Sequence, residues 1–150
     1  MVRGVVQFLL LVLACACARA AEPLRLNVAA ATVSGGPKLE TIGGAQNIGF
    51  WNSIDGLVAW KTNLPARGTY RVIAVVSCPK GVNGSEFVVD VGTQRANGIV
   101  PATGAWTNYV DVDLGPVILR QPGPLDVVVR AIRKPKSAVM NLREIRLVPE

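Results

Sequence analysis

The chain has 150 residues, half of them apolar, with a net charge of +6 and no histidine. That length suits one domain with a real core. The missing histidine excludes Ser-His-Asp and Cys-His nucleophilic arrangements and removes the commonest general base and metal ligand.

Residues 1–21 read as a secretory leader. Arg3 supplies the positive start, residues 5–14 are apolar, and Ala18-Arg19-Ala20 offers small residues before a cut after Ala20 or Ala21. The apolar run is shorter than the roughly 20 residues a membrane span needs. An uncleaved anchor is the alternative, and Leu13-Ala14-Cys15 weakly resembles a lipidation site, with Cys15 or Cys17 as acceptor. The leader implies a secreted or periplasmic domain over residues 22–150. Its removal takes Arg3 and Arg19 and lowers the net charge from +6 to about +4. Only Cys78 then remains, so no internal disulfide forms, and a lone cysteine at a strand end reads as a small buried hydrophobe.

The rest reads as short strands punctuated by Gly, Pro and Asn. Residues 24–33 form the first, ended by Ser34-Gly35-Gly36-Pro37. Residues 57–64 form another, closed by Pro65 and Gly68. Residues 70–77 are apolar on both parities, as in a strand covered on both sides. Residues 86–91 alternate, with Phe87, Val89 and Val91 on one face and Glu86 and Asp90 on the other. In 108–114, Val110, Val112 and Leu114 oppose Tyr109, Asp111 and Asp113. A further strand follows at 116–119, then one at 125–131 with Leu125, Val127, Val129 and Ala131 inward. Residues 140–148 close the chain. Eight to ten short strands with frequent turns predict an all-β antiparallel sandwich or jelly roll, with two sheets packed face to face.

Asp111 and Asp113 share a strand face, where solvated acids are commoner than a catalytic pair. Asp55 and Glu40 have nothing to link them. Cys78 alone builds no zinc site, and no helix follows a glycine loop to cradle phosphate. The chain is therefore expected not to be an enzyme. Arg130, Arg133, Lys134 and Lys136 read as a solvated strand end, not as a nucleic-acid face.

Trp60 and Tyr70 fall inside strands and are expected in the core. Trp51 follows Asn47-Ile48-Gly49-Phe50 in a polar stretch, and Trp106 follows Ala102-Thr103-Gly104-Ala105. Large aromatics in loops are often partly exposed, although either could fold inward to cap the sandwich. A flat aromatic matches the C–H face of a pyranose, and Asn, Gln or Arg bonds its hydroxyl rim. Two rings covering about 100 Å² of sugar contribute roughly 2.5 kcal/mol at ~25 cal/mol/Å². That falls short of the ~4.1 kcal/mol of a millimolar complex, so hydrogen bonds must supply the rest and binding is expected to be weak.

In order and spacing, several segments resemble the carbohydrate-binding modules of families 6 and 35, jelly rolls of the galactose-binding-like class. They are Asn47-Ile48-Gly49-Phe50-Trp51, then Asp55 with Val58 and Trp60, and Gly68-Thr69-Tyr70-Arg71-Val72. Residues 87–91, Thr103-Gly104-Ala105-Trp106 with Tyr109, Leu114-Gly115, and residues 140–147 complete the set. The resemblance covers most of residues 24–149 and is nearest to versions appended to secreted glycoside hydrolases, including α-L-fucosidases. It implies a sugar cleft among loops at one end of the sandwich, formed by Phe50, Trp106 and Asn141. Phe50 stands where a Tyr is usual, so Trp51 is a compensating or alternative platform. Relatives usually hold a structural Ca²⁺ through acids in the first strand and near the chain end. Here the first strand reads Asn27-Val28-Ala29-Ala30-Ala31-Thr32 and Arg143 replaces the late acid. That site is expected to be absent or built only from carbonyls, and no cofactor is expected. The partners implied are a glycan and a glycoside hydrolase. The competing readings are a protein-docking sandwich and an accessory domain of a glycosidase.

Overall fold

The computed structural model describes residues 20–150. The leader, apart from residues 20 and 21, lies outside them, as do Cys15 and Cys17. Among the described residues no helix is long and apolar enough to cross a membrane.

Eleven strands form two antiparallel sheets. The first contains β3 (Lys38–Ile42), β4 (Ala45–Gly49), β11 (Asn141–Pro149), β6 (Gly68–Ser77) and β9 (Val110–Leu119) in that order, with β1 (Leu24–Asn27) also pairing β11. The second runs β2 (Thr32–Ser34), β5 (Leu57–Leu64), β10 (Gly123–Arg133), β7 (Glu86–Val91) and β8 (Gln94–Ile99). The predicted sandwich is thus the observed architecture.

Period-two alternation builds the core, because successive side chains on a strand point to opposite faces. Val58, Trp60 and Leu64 of β5, Phe87, Val89 and Val91 of β7, and Val127 and Val129 of β10 face Tyr70, Val72, Ala74 and Val76 of β6 and Ile145 and Leu147 of β11. Trp60 and Tyr70 are buried as expected, and each satisfies its polar tip. Trp60 Nε1 donates to Asn27 O at 2.8 Å, and Tyr70 Oη donates to Ala66 O at 2.6 Å.

Three readings change. The first predicted strand is two, broken by a 3₁₀ turn at Val28–Ala30 that carries the chain from one sheet to the other. The stretch around Asn47 is not a loop but β4, joined to β3 by Gly43 and Gly44. Both glycines have positive φ, as a two-residue hairpin turn requires. Residues 110–119 are one strand, not two. A bulge at Gly115 (φ 88°) shifts the inward parity from Val112 and Leu114 to Val117 and Leu119. Strand β8, rich in polar residues at a sheet edge, was also unforeseen.

Four acids of the outer faces are committed to arginines. Asp111 pairs with Arg146, Asp113 with Arg71, Asp90 with Arg95 and Arg130, and Glu86 with Arg133. Asp111 and Asp113 are therefore not a catalytic pair, and two of the four clustered basic residues are neutralised. Burial by itself raises the Asp90 carboxyl, but hydrogen bonds from Arg95 and Arg130 outweigh it and hold the group below its ordinary value. The Gly115 N–H, at 2.9 Å, and then Arg71 hold Asp113 down as well. A depressed folded value stabilises above the unfolded carboxylate pKa of about 3.9 and is lost as pH falls through the folded one. The melting temperature is expected to be flat from about pH 7 to 5 and to fall below about pH 4. Asp90→Asn should lower the plateau and flatten the acid limb, which a thermal scan across pH reads directly.

Candidate functional site

A cleft of about 270 Å³ opens at the end of the sandwich where β4 and β6 finish and β11 begins. Its walls are Glu40 and Ile42 of β3, Phe50, Trp51 and Asn52 after β4, Trp106 before β9, and Ala138, Met140 and Asn141 at the entry to β11. The residues singled out in the sequence, Phe50, Trp51, Trp106 and Asn141, thus come together from three separate segments of the chain.

They do not come together in equivalent ways. Phe50 has φ 53°, a left-handed conformation that L residues with a Cβ adopt at a cost of roughly 1–2 kcal/mol. That twist puts its ring outward, 61% exposed, and sends the next residue inward. Trp51 is 1% exposed. Its indole lies against Gly56, where a Cβ would crowd both Trp51 Nε1 and the Pro37 ring. The Trp51 carbonyl accepts from Val139 N at 2.8 Å, which ties the loop before β11 to the loop after β4. Trp51 therefore supports the floor of the cleft: of the two alternatives the sequence left open it takes the inward one, not that of an exposed platform.

Trp106 is half-buried, packed on the core and lining the cleft. Its loop is held by its own hydrogen bonds. Thr103 N donates to Cys78 O at 2.8 Å, and Cys78 N donates to Thr103 Oγ1 at 3.0 Å. Asn108 donates from its side chain to Thr103 O and from its backbone to Ala105 O. The Trp106 carbonyl accepts from Ser77 Oγ at 2.6 Å and from Asn141 Nδ2 at 3.4 Å. Ser77 and Asn141 are directly opposed on β6 and β11, so the sheet register sets this anchor. Cys78 beneath the loop is fully buried, which pushes its thiol pKa up and leaves it inert.

Asn141, 5% exposed, has a second neighbour that sequence reading missed. Glu40 Oε1 accepts from Asn47 Nδ2 at 2.9 Å across the β3–β4 hairpin. A Cβ on Gly49 would overlap Glu40 Oε1 and come within 3.2 Å of Asn141 Oδ1. Glu40 and Asn141 therefore bring acceptor oxygens to the same patch of the cleft that Phe50 and Trp106 line. Glu40 had looked like an isolated acid. The Gly43-Gly44 turn was the signal that placed it on a strand opposite Asn47. Ile42, Asn52, Ala138 and Met140 were not foreseen at all.

This arrangement can cover an apolar ring face and accept hydrogen bonds from hydroxyls. It carries no nucleophile–base pair. Among the described residues no three His, Cys, Asp or Glu side chains cluster to hold a metal. The Ca²⁺ implied by the family resemblance does not fit the residues present. Asn27, Gln46 and Arg143 border a polar hollow without a carboxylate, and the Arg143 guanidinium stacks 3.7 Å above the Tyr109 ring.

No protein-family model and no curated protein matches the sequence. Solved structures do match. A family 35 carbohydrate-binding module from Clostridium thermocellum aligns with TM-score 0.69 and 20% identity, covering 87% of this chain and all of that one. A family 6 module of Cellvibrio mixtus lichenase 5A, solved with cellotriose, aligns with TM-score 0.67 and 20% identity, covering 85% of this chain and 97% of that one. The exo-β-1,3-galactanase of Phanerochaete chrysosporium, solved with β-1,3-galactotriose, aligns with TM-score 0.67 and 14% identity over 85% of this chain but only 29% of its own. The chain thus has the antiparallel jelly-roll fold of the carbohydrate-binding modules of families 6 and 35.

Proposed function

We propose that this chain is a secreted, non-catalytic domain that binds glycan in the cleft between Phe50 and Trp106. The observation that carries the reading is the company of these two aromatics. An exposed ring held out by a strained backbone and a half-buried indole share a cleft with Glu40 and Asn141. Strain kept at a surface aromatic needs a use. The rings would cover a sugar face, Glu40 would accept from hydroxyls, and Asn141 would contribute its amide. The structural likeness to carbohydrate-binding modules supports the same reading, and the match to one part of a galactanase supports an accessory role beside a glycoside hydrolase.

An array of plant, fungal and bacterial glycans, probed with the whole domain, tests this. Binding in the micromolar to millimolar range is expected for at least one class. Phe50→Gly is the informative variant. It relaxes the left-handed residue, so stability should hold or rise by about 1 kcal/mol, while the array signal is lost. Retained binding by Phe50→Gly would remove this cleft from the reading, and an empty array would remove carbohydrate altogether.

A further inference from the structure

We infer that the cleft selects uncharged glycans and rejects acidic ones, against the sign of the protein's own net charge. The inference rests on the carbohydrate-binding reading and adds to it the class of sugar. The chain as a whole is basic, at +6, which by itself would favour uronate or sulfate-bearing polymers. The basic residues are placed otherwise. Arg71, Arg95, Arg130, Arg133 and Arg146 are each spent on acids of the outer sheet faces. Among the described residues no lysine or arginine lines the cleft, and Glu40 is the one charged residue that does.

Lys38 holds its ammonium 5.9 Å from the centre of the Phe50 ring. It belongs to β3 two residues before Glu40, so strand alternation puts the two on one side of the hairpin, but it is absent from the cleft wall. The wall is instead rich in acceptors. Glu40 Oε1 and Asn141 Oδ1 meet over Gly49. Acceptors want donors. Sugar hydroxyls supply them; a carboxylate or sulfate adds acceptors and a like charge. Water is partly excluded from such a cleft, so the repulsion is felt more strongly there than on an open surface. The attraction of distant basic residues is screened beyond about 8 Å in physiological salt.

The test uses matched pairs. Cellotriose, laminaritriose, β-1,3-galactotriose and mannotriose are each titrated into the domain beside the same sugar oxidised at C6 to the carboxylate, following the Trp106 indole resonance by NMR. The oxidised form of whichever trioses bind is expected to be at least tenfold weaker. Glu40→Gln, close in shape but uncharged, should bring each pair to within about threefold, and Lys38→Gln should leave the preference with the same sign. An oxidised sugar that binds as well as its parent overturns the inference. So does a gap that survives Glu40→Gln, since the discrimination would then come from the lost C6 hydroxyl. Silence from every triose, neutral and oxidised, together with an empty array sinks the carbohydrate reading itself and the inference with it.

Discussion

Trp51→Ala is expected to destabilise the domain by about 3–5 kcal/mol, the usual cost of emptying a large aromatic site in a packed core. For a domain of this size that lowers the melting temperature by on the order of 10–15 °C. The size of the effect follows from where the indole sits. It is among the largest fully buried side chains, and it fills the space left by Gly56 beside Pro37. Trp51→Phe should cost far less, about 1–2 kcal/mol, because the Trp51 Nε1 hydrogen has no acceptor to lose. Urea unfolding of the two variants orders these costs. The alanine variant should also weaken glycan binding, since the same residue joins the loops on two sides of the cleft through Val139. A loss below about 1 kcal/mol would mean that Trp51 is not the plug described here.

What the sequence revealed and what it hid follow one physical division. Strands Leu57–Leu64 and Glu86–Val91 were read with their observed ends, because one wet face and one dry face write period-two alternation between turn residues. Strands at sheet edges write less. Residues 38–42 and 94–99 bury little, so their polar composition reads as loop. Losing the first of these hid Glu40, whose place depends on its register with Asn47. The bulge at Gly115 hid the continuity of β9 because it swaps the inward parity midway. Phe50 and Trp51 show the sharper limit. Which of these adjacent aromatics faces water is set by the left-handed φ of Phe50 and the room left by Gly56. Neither fact is local. Trp106 and Asn141 were legible as residue types, but the Trp106 carbonyl that joins them also takes a hydrogen bond from Ser77, which nothing in the sequence marks.

The Trp106 ring gives the second large effect. Trp106→Ala is expected to weaken glycan binding by at least tenfold, which in a complex that begins near the millimolar range reads as loss of measurable affinity. A stacked ring contributes on the order of 1–2 kcal/mol through buried area, and one factor of ten is about 1.4 kcal/mol. The fold should survive the change. The loop is held by Thr103, Asn108 and the Trp106 carbonyl, and alanine keeps every one of those backbone bonds. The indole is only half-buried, so the stability cost should be well below that of Trp51→Ala. The two tryptophans therefore separate along two axes: Trp51 mainly carries stability, and Trp106 mainly carries affinity. Paired measurements of melting temperature and glycan affinity resolve them, and an equal fall in both quantities for Trp106→Ala would demote its indole from a binding surface to another piece of core.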